Sequence, residues 1–310
     1  MSSVRTRSAR AKARLQPAKR AVRRAAHHAA RALGYELVEQ SFYSPLPDVE
    51  NLPARLWAGP EEPPGLDLRV DEAVRFLDKE LRPYLREFAP PRTLEAGETG
   101  ATGSYYLHNA SYESVDAETL YAILRYAKPK QVLELGSGAS SHVIDCARRA
   151  NEADGSPFDH EILDPYPFAH PMGPVTGAEV RQLRSEDLDG SEVERLADGD
   201  VLFVDTTHTV KTGGDVAHLI LNLFPRVPQG VWVHVHDVFL PYEYPREWVV
   251  DERRAWAEQY LLQAFLAFNE TYQVVLPAQA VVRTAPDLVK EVIPTFGPGV
   301  NPGAFWMRRV

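Results

Sequence analysis

The chain has 310 residues, 44% of them hydrophobic, which is enough apolar material for one large or two small cored domains and excludes wholesale disorder or fibrous repeats. Its formal net charge of −9 hides a division: residues 1–33 hold ten Lys or Arg and no Asp or Glu, whereas the remainder holds 24 basic and 43 acidic residues. An acidic body of that kind repels a phosphate backbone, so specific nucleic-acid binding is not expected of it.

Taken in chain order, residues 1–33 read as a basic Ala/Arg-rich tail, partly helical and interrupted by Pro17, capable at most of weak contact with an anionic surface. Residues 34–113 are dense in proline, which forbids long regular elements apart from one helix near Asp71–Phe88, and they read as an accessory region. Regular texture begins at residue 114 and runs to 310. Ala117, Leu120, Tyr121 and Leu124 mark a helix closed by Pro129. Val132–Leu135 is a strand run ending in Gly136-Ser137-Gly138, and Ser140–Arg149 follows as a helix. Further strands are expected at Glu161–Leu163, Glu179–Leu183, Val201–Val204 and Val231–Val235, with a one-faced helix at Val216–Phe224. After a last helix around Ala257–Phe268, runs at Gln273–Leu276 and Ala304–Met307 show no helix pattern between them and are expected to pair as an antiparallel hairpin. Strands alternating with helices imply an α/β fold with a mostly parallel, covered sheet.

The single cysteine, Cys146, excludes an intramolecular disulfide and a thiolate metal cluster, and it reads as helix packing in a reducing, cytoplasmic protein. No run of about 18 apolar residues offers a membrane span.

Ligands in such sheets sit beyond the carboxyl ends of the strands, where Glu134, Asp164, Asp205 and His236-Asp237 fall. The glycine turn has Ser141 where a dinucleotide fingerprint needs its third glycine, and Glu134 would repel a pyrophosphate. A carboxylate there suits a cationic ligand. His234 reads as a hydrogen-bonded core residue.

The run V-L-E-L-G-S-G-A-S-S, Val132–Ser141, resembles the first motif of class I S-adenosylmethionine-dependent methyltransferases. Together with Asp200–Val216 and Val233–Trp248 it is similar to a bacterial branch of the "methyltransferase 24" type. The resemblance implies a Rossmann-like sheet of seven strands, mostly parallel, with an antiparallel last hairpin. It also implies that Glu134, Gly136, Ser137, Gly138 and Ser140 hold the methionine end of S-adenosyl-L-methionine. Asp164 would take the ribose hydroxyls, Asp187 would lie near the adenine, and Asp205 would line the cofactor site. Related O-methyltransferases bind a divalent ion at these strand ends, so Asp205, His236 and Asp237 form a candidate metal set for Mg²⁺ or Mn²⁺, with Fe²⁺ or no metal also open. Asp205, His208 and Asp237 are the candidate catalytic groups, with His208 or Asp205 as general base.

The expected activity is O-methylation of a small-molecule or sugar-type acceptor. A non-catalytic S-adenosylmethionine-binding scaffold and a metal-dependent enzyme on the same fold are the alternatives. The loop Phe239–Trp248 is expected at the rim of the acceptor pocket or packed on the accessory region.

Overall fold

Short β-branched and leucine runs, each followed by a helical pattern, build one seven-stranded sheet in the computed structural model, which describes residues 21–60, 62–93, 105–167 and 172–310. The chain divides into two units, Met1–Leu52 and Pro53–Val310. In the first, residues 21–32 are helical (α1).

The second unit opens with a continuous helical rod: α2 (Val70–Phe76), wider turns over Leu77–Leu81, and α3 (Arg82–Glu87). Leu77, Leu81 and Leu85 are buried at i, i+4 and i+8, so this part of the Pro-rich stretch shares the main core. Then follow α4 (Asp116–Ala127), β1 (Gln131–Leu135), α5 (Ala139–Ala153), β2 (Asp159–Leu163), β3 (Glu179–Arg181), α6 (Ser191–Glu194) and β4 (Val201–Val204). The chain continues through α7 (Asp215–His218), β5 (Trp232–Val235), α8 (Glu258–Leu266), β6 (Tyr272–Pro277), α9 (Ala278–Thr284), α10 (Pro286–Val292) and β7 (Phe305–Arg309).

The strand order is β3-β2-β1-β4-β5-β7-β6. β1 to β5 run parallel, and β7 is antiparallel to both β5 and β6. This is the expected Rossmann-like sheet of seven strands, mostly parallel with an antiparallel end. The expected short hairpin is corrected in one respect: two helices, α9 and α10, lie between β6 and β7. Pro286 interrupts the apolar period in the sequence, yet as the first residue of α10 it costs nothing, because that N–H has no helical partner anyway. Val281, Val282, Val289 and Val292 are buried.

Both faces of the sheet are covered. Val132, Phe203, Trp232, Leu276 and Trp306 meet helices α2 to α5, α9 and α10, while Leu133, Leu202, Val204, Val233 and Met307 meet α7 and α8. The first face carries an anomaly. His234 lies fully buried between Phe203, stacked at 4.4 Å, and Trp306 at 4.7 Å, and neither ring nitrogen has a hydrogen-bond partner. The hydrogen-bonded core histidine expected from the sequence is therefore corrected. Flanking aromatic rings leave it no donor or acceptor, and burial drives its pKa well below the usual value, so the ring is neutral. An unpaired buried polar group costs about 1–3 kcal/mol. His234→Phe, which keeps the stack, is expected to raise the thermal midpoint by about 2–4 °C. A comparable fall in circular-dichroism melts would refute that account.

Candidate functional site

At the end of β1 the backbone turns through Gly136 at φ +86°, a conformation that glycine adopts without strain. A Cβ there would lie 1.9 Å from the carbonyl oxygen of Asp205. The glycine thus lets two strand ends touch, and amide bonds lock them: Asp205 N donates to Leu135 O at 2.9 Å, and Gly136 N donates to Leu163 O at 3.0 Å. β1, β2 and β4 consequently end on one rim.

Glu134 does not face that rim, which corrects the expected contact with a cationic ligand. Its carboxylate is fully buried; Oε1 accepts from Ser140 Oγ at 2.8 Å and Ser141 Oγ at 3.0 Å, and Oε2 lies 2.7 Å from His160 Nε2. Strand alternation turns Glu134 onto the face of its neighbours Ile162 and Phe203, beneath α5, where a charge must find internal partners. It ties the first turn of α5 to the sheet. Ser140 is 2% exposed and spends its hydroxyl on that tie, so its expected role at the methionine end is corrected too.

Asp164, after β2, reaches the turn directly. Its Oδ2 accepts from Ser137 N at 2.7 Å and Ser137 Oγ at 2.6 Å, and Oδ1 accepts from Tyr166 N at 2.5 Å. A carboxylate has about four lone-pair positions, so capacity remains for one more donor. Asp187, on the short turn Ser185–Asp187, is exposed and held by Arg184 at 2.8 and 3.0 Å, whose guanidinium keeps its carboxyl below the ordinary range.

The ends of β4 and β5 carry the denser chemistry. His208 Nε2 lies 3.2 Å from Asp205 Oδ1 and 3.5 Å from Asp237 Oδ2, while Nδ1 lies 2.9 Å from Glu258 Oε2. His236 Nε2 is 3.6 Å from Asp237 Oδ1. Both His208 and Asp237 adopt φ +55°, an uncommon conformation that aims side chains from loops into one point. Burial opposes charge on His208, yet hydrogen bonds with Asp205 and Glu258 override it and raise the pKa well above the usual value. Burial likewise works against ionisation of Asp205, but the nearby His236 and His208 hold its carboxyl down to about 2. Burial lowers and Asp237, Asp205 and Asp116 raise the pKa of His236, with the carboxylates prevailing.

This arrangement corrects the candidate metal set. Among the described residues no group of three His, Cys, Asp or Glu is disposed to hold a metal ion. The physical reason is that the His208 ring lies between Asp205 and Asp237, so an imidazolium already neutralises the carboxylates an ion would bridge. It also corrects His208 as the resting general base at neutral pH, because its protonated form is the favoured one. Asp205 and Asp237 are the carboxyl groups left partly open, with side-chain exposures of 29% and 14%.

Glu258 was missed by sequence reasoning. In the sequence it is an ordinary acidic residue in the first turn of a helix, where the dipole favours it, and no pattern links it to His208 fifty positions earlier. The structure joins them twice, since the His208 carbonyl also accepts from Ala257 N at 2.9 Å and Glu258 N at 3.2 Å. Trp256 packs on the imidazole at 4.4 Å. Glu258→Gln removes a negative partner of the imidazolium, so the His208 titration followed by NMR is expected to move to lower pH. An unmoved or upward-moving titration would refute the clamp.

The aromatic loop Phe239–Trp248 packs largely on itself and on the segment before α8: Phe239 on Trp248 at 5.4 Å, and Trp248 on Trp256 at 5.3 Å. Trp57 Nε1 donates to Tyr244 O at 2.9 Å, tying part of the Pro-rich stretch to this rim.

No protein-family model matches the sequence. An uncharacterized protein of Archaeoglobus fulgidus is 27% identical over 131 residues, 41% of this chain; the chain thus spans 57% of the length of that relative. A crystal structure from Thermobifida fusca YX, provisionally described as a methyltransferase, overlies 83% of this chain and 97% of its own at 16% identity and a TM-score of 0.39.

Proposed function

We propose that the protein is an S-adenosylmethionine-dependent methyltransferase that modifies an oxygen of a small-molecule or sugar-type acceptor. The observation that carries this reading is the reversed seventh strand combined with a glycine turn at the end of β1, Asp164 at the end of β2 and carboxylates at the ends of β4 and β5. The cleft fits the donor because the turn at Gly136 gathers the ends of β1, β2 and β4, with Asp164 and Asp205, on one rim. The partly open carboxylates of Asp205 and Asp237 take over the part first expected of Glu134.

Bound S-adenosylmethionine supplies an electrophilic methyl group on a sulfonium. Asp164, its carboxylate oriented by Ser137, would accept from the ribose hydroxyls, and the turn at Gly136 would set the methionine end. Asp205 or Asp237 would accept the acceptor hydroxyl's proton as its oxygen takes the methyl group and S-adenosylhomocysteine departs. His208 spreads their charge and Glu258 holds its ring in place. Most of the acceleration then comes from alignment in a dry pocket. Because the donor geometry does not suit a metal, activity is expected to survive exhaustive chelation.

Calorimetry with S-adenosylhomocysteine, followed by a product-mass screen with labelled methyl donor across sugars, phenols and lipid-linked acceptors, tests the reading. Binding together with a labelled product is the expected result. Absence of nucleoside binding sinks the proposal, and binding without turnover on any acceptor assigns the scaffold alternative.

A further inference from the structure

Residues 21–32 form a helix about 18 Å long, none of whose side chains is buried. Its residues divide cleanly around the axis. Val22, Ala25, Ala26, Ala29 and Ala32 recur at i, i+3, i+4, i+7 and i+10 and share one face, which Leu33 extends. Arg23, Arg24, His27, His28 and Arg31 share the opposite face. The basic residues of the amino-terminal segment lead into this helix, since residues 1–33 carry ten Lys or Arg and no acidic side chains although the chain as a whole is acidic.

The segment after it in the same unit is apolar where it should be polar. Leu33 is 75% exposed, Tyr35 70%, Phe42 96% and Tyr43 90%. Among the described residues two of the helix arginines have ion-pair partners, Arg23 with Glu39 at 2.7 Å and Arg31 with Glu36 at 2.6 Å, and such exposed pairs exchange readily for other anions.

We propose that this amino-terminal unit docks the protein on an anionic lipid bilayer. Arginines face the phosphates, and the Val/Ala/Leu stripe with Phe42 and Tyr43 enters the boundary between headgroups and acyl chains. A nucleic acid would account for the charge alone, leaving the apolar stripe and the aromatics in water. A bilayer accounts for both at once, because its surface offers phosphates above and hydrocarbon below within the thickness of one helix. The proposal is independent of the reaction at the strand ends.

Flotation of the full-length protein with vesicles tests it. Vesicles of phosphatidylcholine with about one-third phosphatidylglycerol are expected to bind about tenfold or more tightly than pure phosphatidylcholine. High salt is expected to weaken that binding. Both Phe42→Ser/Tyr43→Ser and Arg23→Gln/Arg24→Gln/Arg31→Gln should reduce it at least about fivefold, with circular dichroism of the full chain unchanged. Equal binding to neutral and anionic vesicles, or none to either, overturns the proposal. So does tighter binding to a duplex DNA that the Phe42→Ser/Tyr43→Ser variant retains, which would make the unit a nucleic-acid arm. Self-association lost in that variant without any vesicle binding would instead make the face a contact between copies.

Discussion

Gly136→Ala is expected to destabilise the protein by more than about 3 kcal/mol and to abolish nucleoside binding. Two costs add. An alanine at φ +86° carries backbone strain of about 1–2 kcal/mol. Its methyl carbon would also overlap the Asp205 carbonyl, 1.9 Å away, and the atom it meets is backbone rather than the end of a flexible side chain. Relief requires β1 and β4 to part at their carboxyl ends, which breaks the amide bond from Asp205 N to Leu135 O. Asp205 would then move away from His208. Denaturant melts provide the measurement, and an unchanged midpoint would show that the turn and the fourth strand do not approach as described.

Asp164→Ala is expected to weaken S-adenosylhomocysteine binding about a hundredfold or more, since hydrogen bonds to a charged acceptor are worth about 1.5–3 kcal/mol each. The same carboxylate also anchors the glycine turn through Ser137, so loss of binding by itself would not separate the two roles. Ser137→Ala separates them: it removes the hydroxyl tie but keeps the carboxylate, and should cost less than about tenfold. Equal losses in the two variants would assign Asp164 to the turn rather than to the ribose. Retained affinity in Asp164→Ala would remove the ribose assignment altogether.

Most strands and helices of the sheet were legible because their signals are local. Val201–Val204 is apolar without interruption, as a strand covered on both faces must be, and Leu219, Ile220 and Leu223 show one helical face. Pro286 hid α9 and α10, since a proline that breaks a pattern and one that starts a helix look alike until the flanking valines are seen to be buried. The helix of residues 21–32 shows its two faces once its extent is known, although its apolar side is mostly alanine and gives a weak signal in the sequence.

At the candidate site the residues were legible but several of their orientations were not. Glu134, Asp164, Asp205 and Asp237 could be placed at strand ends by counting along the chain. Which way each carboxylate turns depends on strand alternation, on the register with neighbouring strands and on partners brought from afar. Glu134 turned inward to Ser140, Ser141 and His160, and Asp205 met an imidazole clamped by Glu258. Local periodicity and turn chemistry determined the order of elements, the parallel sheet and the rim on which polar groups collect. Only the tertiary structure decided which of those groups are spent on one another and which stay open to a ligand, because a buried charge is governed by whatever the fold places within about 4 Å of it, however distant in the chain.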